Sequence, residues 1–527
     1  MTATQEPWWK GAVIYQIYPR SFMDSTGNGV GDLPGITGKL DYVASLGIDA
    51  IWLSPFFTSP MRDFGYDVSN YCDVDRVFGT LANFDALVAK AHALGLKVII
   101  DQVYSHTSDE HEWFGASRAD ATNDKADWYV WADAKPDGSP PNNWQSVFSG
   151  PAWEWDARRG QYYLHNFLPS QPDLNLHNPA VQDALVNVAK FWLERGVDGF
   201  RLDAINFAMH DVQLRDNPPA QNKNAKRPFD FQEHKYNQSH ADIPKFLERI
   251  SKTASAYGDI FTVAEVVGAD PVDEMKSFTS KGRLSSAYNF DFLYAPEIDA
   301  ELVRRALAPW GSNDDAGWPA WAFSNHDAPR HVSRWRADGS PRAAKLYAML
   351  LLALRGNAFV FQGEELGLPQ ADIPFELLQD PEAIANWPEI LGRDGARTPM
   401  SWRGNGPNAG FSSGDPWLPI DANHLPLAVD GQECDPSSTL HFIRELIAFR
   451  KSCPALQTGD MELVDTSDDS LAFYRGDKDA LCVFNLGSEI SKWAPDAGEF
   501  KIAISIGVAG SALPNSLEPM SGYIAIR

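Results

Sequence analysis

The sequence predicts a (β/α)8 barrel of the TIM type, with a subdomain inserted after the third strand and an antiparallel β-domain at the C-terminus. Three observations carry this reading. Eight short apolar or β-branched runs alternate with helical patterns, two of the intervals are far longer than the rest, and the alternation stops near Pro454.

The runs are VIYQIY (13–18), AIWLS (50–54), KVIIDQV (97–103), GFRLD (199–203), FTVAEV (261–266), YNFDF (288–292), WAFSNHD (321–327) and AFVFQG (358–363). Near-continuous apolar strands separated by helices imply a parallel sheet buried on both faces, and eight such units close into a barrel. The interval from Glu265 to Asp327 fits two plain units of about thirty residues each. Asp203 to Glu265 is as long but holds one unit. Its surplus is the polar, Pro- and Asn-rich stretch 211–242, which reads as a long loop. Asp101 to Asp203 exceeds one unit by roughly seventy residues, enough for a small subdomain. Both insertions follow a strand, so both stand over the C-terminal face, where barrel enzymes keep their active sites. The apolar run 346–354 is too short to span a bilayer and reads as a buried helix. Past Pro454, ELVDTSDDSLAFYRG and ALCVFNLG read as strands joined by turns. The barrel is thus expected at 1–104 and 176–455, the inserted subdomain at 105–175, and a sandwich-like β-domain at 456–527.

Composition narrows the class of partner. With 44% hydrophobic and 22% charged residues, the chain can bury an ordinary core without disulfides or metal. A formal charge of −25 repels phosphate backbones and anionic lipid, so nucleic acid and membranes are poor partners. Four cysteines without a CxxC pair predict reduced thiols. The N-terminus lacks a basic segment followed by an apolar stretch, so no signal peptide is expected. The expectation is a cytoplasmic protein, monomer or homodimer, acting on a small molecule.

Carboxylates recur at the predicted strand ends: Asp101, Asp203, Glu265 and Asp327. Each alone reads equally well as a cap for the following helix; barrel closure brings all four to one rim. Metal-assisted hydrolysis and glycoside hydrolysis both gather carboxylates in this way. Arg201 decides between them. It lies two residues before Asp203, on the same strand face, and a guanidinium there orients the ionised carboxylate of a nucleophile. A divalent site seldom wants a fixed cation. His106 and His326 follow as donors to sugar hydroxyls.

DQVYSH, GFRLDAI, EVV and SNHD, in that order, resemble the four conserved regions of the α-amylase superfamily. YQIYPRSF and QPDLN resemble its oligo-1,6-glucosidase and α-glucosidase branch, and the likeness spans essentially the whole chain. The resemblance implies a retaining, exo-acting α-glucosidase with transglucosylation. Asp203 matches the nucleophile, Glu265 the acid/base and Asp327 the third carboxylate that stabilises the transition state. Arg201, His106 and His326 match residues gripping the glucose, and Asp63 and Tyr66 those that bind and stack it. Arg397 matches a partner of Asp63 that closes the pocket, while Phe148 and Phe167 stand as walls. Ala204, following the nucleophile, implies α-1,4 over α-1,6 preference. A glucosyltransferase, a trehalose synthase-like isomerase or an oligo-1,6-glucosidase would use the same carboxylates.

The resemblance implies no cofactor for catalysis. Ser105 replaces the Asn that binds calcium in many amylases, so that site is not expected. The loop Asp24–Asp32 resembles the family's N-terminal calcium loop instead. It implies one structural Ca2+ or Mg2+ held by Asp24, Thr26, Asn28, Val30 and Asp32, oxygen donors at alternate positions.

Overall fold

The computed structural model describes residues 6–221, 225–268, 270–310, 317–335, 340–466, 468–495 and 498–527. Its barrel strands are β1 (Val13–Ile17), β2 (Ala50–Leu53), β3 (Lys97–Val103), β4 (Gly199–Asp203), β5 (Phe261–Glu265), β6 (Ser286–Tyr288), β7 (Ala320–Ala322) and β8 (Asn357–Phe361). All pair in parallel, in the order β6-β5-β4-β3-β2-β1-β8-β7. A parallel bridge from Ala287 to Pro319 joins β6 to β7 and closes the ring.

Eight helices alternate with these strands: α1 (Leu33–Ser45), α2 (Leu81–Ala93), α3 (Pro179–Leu193), α4 (Ile243–Ser255), α5 (Pro271–Phe278), α6 (Ala300–Leu307), α7 (Pro341–Ala353) and α8 (Thr439–Ser452). Their starts are encoded locally. Proline occupies the first turn of α1, α3, α4, α5 and α7, where its missing N–H costs nothing. Thr80 and Asn83 form a reciprocal capping box on α2.

The period-2 alternation of the strands separates two cores. Ile14, Trp52, Ile99, Phe261, Val263 and Phe359 fill the barrel interior. Val13, Tyr15, Ile51, Val98, Ile100, Phe200 and Leu202 face the helices. Arg201, Asp203, Asp101 and Glu265 share the inward parity, so the pleat alone aims them up the barrel axis. The interior is crowded: a Cβ on Gly199 would lie 2.8 Å from the Phe261 carbonyl oxygen.

Two strands are shorter than the sequence suggests. β6 ends at Tyr288, where YNFDF was expected to begin, because Asn289 turns the chain by accepting the Asp291 N–H at 3.2 Å. β7 ends at Ala322, and SNHD lies beyond it in a turn where Asn325 Oδ1 accepts the N–H groups of Asp327 and Ala328. Both polar turns present side chains at the barrel mouth.

Between β3 and α3 lie a short helix (Glu112–Ala119) and a three-stranded antiparallel sheet of Trp131–Ala132, Gln161–Leu164 and Trp153–Asp156. Its small core of Val130, Trp144, Trp153 and Leu164 also receives Leu214 and Tyr236 from the segment after β4. The two insertions therefore form one wall over the mouth. Within the 211–242 loop, residues 222–224 lie outside the described residues.

The C-terminal part is one five-stranded antiparallel sheet: Met461–Val464, Leu471–Arg475, Ala480–Asn485, Ser521–Ile526 and Lys501–Ile506, in that spatial order. Leu471, Phe473, Cys482 and Ile524 join the barrel's outer core. The opposite face, with Leu481, Val483 and Tyr523, is covered by Trp493, Val508, Leu513 and Leu517. Connecting segments supply that cover, where a sandwich would have a second sheet. The apolar run 346–354 falls largely on α7, which packs between barrel and C-terminal sheet and so is apolar nearly all round. Among the described residues no helix is long and apolar enough to cross a membrane.

Candidate active site

A cavity of about 650 Å³ opens at the C-terminal ends of the strands. Nine residues singled out from sequence line it: Asp63, Tyr66, His106, Phe148, Phe167, Asp203, Ala204, Glu265 and Asp327. Arg201, His326 and Arg397 lie fully buried behind its floor.

Arg201 organises that floor. Its Nη1 donates to Asp101 Oδ1 at 2.8 Å and to Asp203 Oδ1 at 2.5 Å, and Nη2 lies 2.6 Å from Glu265 Oε1. Tyr288 Oη accepts from Nε and Nη2 of Arg201 and donates to Glu265 Oε1 at 3.1 Å. Trp52 Nε1 donates to Asp101 Oδ2 at 3.1 Å. One guanidinium thus holds three buried carboxylates, an arrangement that water exclusion makes strong only while every partner is present.

The electrostatics set Asp327 apart from the two acids that share Arg201. Burial pushes Glu265 up to about 7, against the pull of Arg201. Burial, then Asp101 and Asp327, push Asp203 upward, and Arg201 opposes them. Burial also works against ionisation of Asp327. His326, Arg397 and Arg393 outweigh it and hold that carboxyl well below the usual range. Glu265 can thus keep a proton near neutrality while Asp327 stays ionised. Burial lowers His326 to about 3 and His106 to about 4, so both imidazoles are neutral near pH 7. The Gln16 side-chain amide donates to His326 Nδ1 at 2.8 Å, which leaves the ring proton on Nε2, 3.2 Å from Asp327 Oδ2.

Arg397 does not reach Asp63 as expected. It donates to Asp327 Oδ1 at 2.7 Å and to the His326 carbonyl at 2.6 Å. The partner of Asp63 is Arg393, whose Nη2 lies 2.8 Å from Asp63 Oδ1 and 2.7 Å from Asp380 Oδ1. Arg397 ends a 3-10 turn (Asp394–Ala396) that directs it beneath the cavity, whereas Arg393 enters from the rim. Gln171, within QPDLN, completes this corner by donating to Asp63 Oδ2 at 3.0 Å. The Asp63–Arg393–Asp380 chain closes one end of the cavity, with Arg393 over the Phe148 ring at 5.0 Å.

Sequence reading also missed Phe207, Phe229, Tyr294, Arg227 and Glu382, all lining the cavity. The available signal was position: each lies in a segment following a barrel strand. Ala204 holds a left-handed conformation, φ 38°, and its N–H donates to Glu265 Oε2 at 3.1 Å. The backbone after the nucleophile candidate thereby positions the acid candidate.

The Asp24–Asp32 loop lies away from the cavity lining. Asp24 accepts from the N–H groups of Thr26, Gly27 and Gly29, each at 2.8 Å, and from Ser412 Oγ at 2.6 Å. Asn28 Oδ1 accepts from Val30 N, and Asp32 caps α1 through the Gly35 N–H. The donors are all oxygen, which suits a hard cation. With two carboxylates, both already receiving hydrogen bonds, the loop also holds its shape without one.

Comparison with known proteins agrees with this geometry. Residues 16–459 match the model of the alpha amylase catalytic domain. The chain is 54% identical over 496 residues to a probable alpha-glucosidase of Rhizobium meliloti (strain 1021), covering 92% of this chain and 90% of the relative. It is 39% identical over 496 residues to an oligo-1,6-glucosidase of Heyndrickxia coagulans, with 87% of each chain covered. Among solved structures, the alpha-glucosyl transfer enzyme XgtA superposes with a TM-score of 0.94 at 47% identity, covering 99% of this chain and 100% of that one. The barrel, its insertion, the carboxylates on their arginine and these likenesses agree: the chain belongs to the α-amylase family of glycoside hydrolases.

Proposed function

We propose that this enzyme is a retaining, exo-acting α-glucosidase that removes terminal α-1,4-linked glucose from maltose and short oligosaccharides. One observation carries the reading: Asp203 and Glu265 occupy the two arms of a single guanidinium, beside a cavity end shut by the Asp63–Arg393 pair. Two carboxylates held on one guanidinium suit the close pair of a retaining enzyme, about 5–5.5 Å apart, better than the wider pair of an inverting one. The shut end admits one glucose, gripped by Asp63, His106 and Asp327 and backed by Tyr66, with Phe148 and Phe167 as walls. Arg201, His326 and Arg397 hold the reacting groups from beneath.

In the first step Asp203 attacks C1 and Glu265 gives its proton to the departing oxygen. Water then attacks C1 of the ester as the C1–O bond to Asp203 breaks and its electron pair returns to that carboxylate; one water proton passes to Glu265 and the oxygen stays on the sugar. Asp327, kept ionised by its arginines, faces the cationic transition state. A proton NMR time course on maltose tests this. Early α-glucose supports the reading; β-glucose rejects retention, and trehalose favours an isomerase.

Ala204 underlies the linkage preference. Ala204→Val is expected to raise the ratio of isomaltose to maltose kcat/KM about ten-fold. A β-branched residue strains the left-handed backbone there, so the ratio and not the absolute rate is the reading. An unchanged ratio removes Ala204 from the argument. Arg227, from the loop after β4, pairs with Glu382 at 2.8 Å across the mouth, which favours disaccharides over long chains.

Transglucosylation belongs to the same reading, and the likeness to an alpha-glucosyl transfer enzyme supports it. So does a Ca2+ or Mg2+ in the Asp24–Asp32 loop, with a structural role only. Chelation is expected to lower the Tm by about 2 °C or more, and an unchanged Tm leaves the loop metal-free. The four free cysteines suit a reducing cytoplasm, and the protein is expected as a monomer or homodimer.

A further inference from the structure

Tyr288 ends β6 inside the barrel, fully buried, with its ring 5.6 Å from that of Phe359. The cavity lining includes Glu265 and not Tyr288, so this phenol reaches the reaction through the groups it touches. A tyrosine hydroxyl has one proton to give and two lone pairs to receive with. Arg201 takes both receiving positions, from Nε at 3.1 Å and Nη2 at 3.0 Å, and a guanidinium never accepts. The hydroxyl proton is left for Glu265 Oε1, 3.1 Å away. Burial, opposed by Arg201, holds the phenol well above its ordinary pKa, so that proton stays in place across the working range of pH.

The two oxygens of Glu265 are thereby made unequal. Oε1 faces the Tyr288 hydroxyl proton and, at 2.6 Å, Nη2 of Arg201. Oε2 receives the Ala204 N–H at 3.1 Å, which uses one lone pair and leaves the other. An acid proton on Oε1 would meet two donors head on; on Oε2 it has a free direction.

We infer that Tyr288 is a positioning residue for the acid/base step: its hydroxyl, locked by Arg201, keeps Oε1 as an acceptor and confines the catalytic proton of Glu265 to Oε2. This rests on the acid/base reading of Glu265. As the C1–O bond to the leaving group breaks, the departing oxygen takes that bond's electron pair and the proton from Oε2. The O–H pair stays on Glu265 as carboxylate, which the Tyr288 hydroxyl stabilises until water returns a proton to Oε2 in the second step. Glu265 also faces Arg201 and Asp203 from β4, Asp101 from β3, Asp327 from the turn after β7 and Tyr294 from the segment after β6. Tyr288 differs from Arg201 in bonding Glu265 and not Asp203, so it biases one acid where Arg201 biases two.

Two replacements at this position test the inference through the pH profile of kcat/KM. Tyr288→Phe keeps the ring and deletes the hydroxyl. A lost hydrogen bond to the charged form raises the pKa of Glu265, so the descending limb is expected to move up by about one pH unit while the ascending limb stays. The pH-independent kcat/KM on maltose is expected to fall about three- to ten-fold relative to an aryl α-glucoside, whose leaving group needs less help from a proton. Site-specific 3-fluorotyrosine at position 288, a more acidic phenol and stronger donor, is expected to move the descending limb the other way, to lower pH. Should Tyr288→Phe fail to fold, the direction of the fluorotyrosine shift decides alone. A uniform loss of rate with the descending limb in place makes Tyr288 a packing residue, and movement of both limbs together makes it act through Arg201; either overturns the inference and leaves the glucosidase reading standing. No glucose from maltose, isomaltose or an aryl α-glucoside with the native enzyme overturns both.

Discussion

Asp203→Gly is expected to reduce kcat by a factor on the order of 10^5, and azide is expected to restore turnover by forming β-glucosyl azide. The size follows from removing the group that, in the proposed mechanism, bonds to C1 in the first step; deletion of a nucleophile from a catalytic unit costs on the order of 10^4–10^6. Asp203 is 7% exposed at the cavity wall, so its removal leaves a hole that opens to the substrate. Arg201 keeps Asp101 and Glu265 as partners there, and its positive charge draws a small anion into the gap. Azide arriving in that gap attacks the face Asp203 would have attacked, and inverts the centre once. Glu265 still protonates the leaving oxygen, so an aryl α-glucoside donor is not required for rescue. Purified variant, azide and NMR of the anomeric proton make the measurement. An α-azide would move the nucleophile's role away from Asp203, and retention of more than about a thousandth of the activity would remove it.

The parts of this site that follow from strand parity were legible in the sequence. GFRLD and KVIIDQV alternate so that Asp101, Arg201 and Asp203 share the inward face, and closure of a parallel barrel does the rest. What escaped depends on turns. YNFDF looks like a strand because Tyr288, Phe290 and Phe292 alternate with polar residues at the period of a strand. One Asx-type hydrogen bond ends the strand there instead. GRDGARTPM offers two arginines four residues apart, and local sequence does not tell which reaches Asp63. The answer depends on the path of a 3-10 turn beneath His326 and on Asp380, an acid remote from the predicted strands. The left-handed backbone of Ala204 was invisible for a related reason: alanine carries no propensity signal for positive φ. The run of rings Phe167, Phe207 and Phe229 joins the segment after β3 to the segment after β4, a meeting that only the folded loops bring about.

Arg201→Lys is expected to lower kcat/KM by about 10^2–10^4 and to move both limbs of its pH profile upward. Lysine keeps the charge and loses the fork. A single ammonium cannot stand at once against Asp101, Asp203, Glu265 and Tyr288, as the guanidinium does. The direction of the pH shift follows from the signs. Arg201 opposes the rise that burial imposes on both Asp203 and Glu265, so a weaker cation lets both carboxyls hold their protons to higher pH. In the proposed mechanism the ascending limb reports ionisation of Asp203, which must be a carboxylate to attack. The descending limb reports loss of the Glu265 proton, which in the native enzyme lies at about 7. Each limb therefore moves to higher pH, and the optimum moves with them. A loss of rate with both limbs in place would make Arg201 a packing residue, and a shift to lower pH would contradict its electrostatic role. Upward movement of both limbs requires one cation to bias two acids, which is the coupling that distinguishes this site from four separately capped helices.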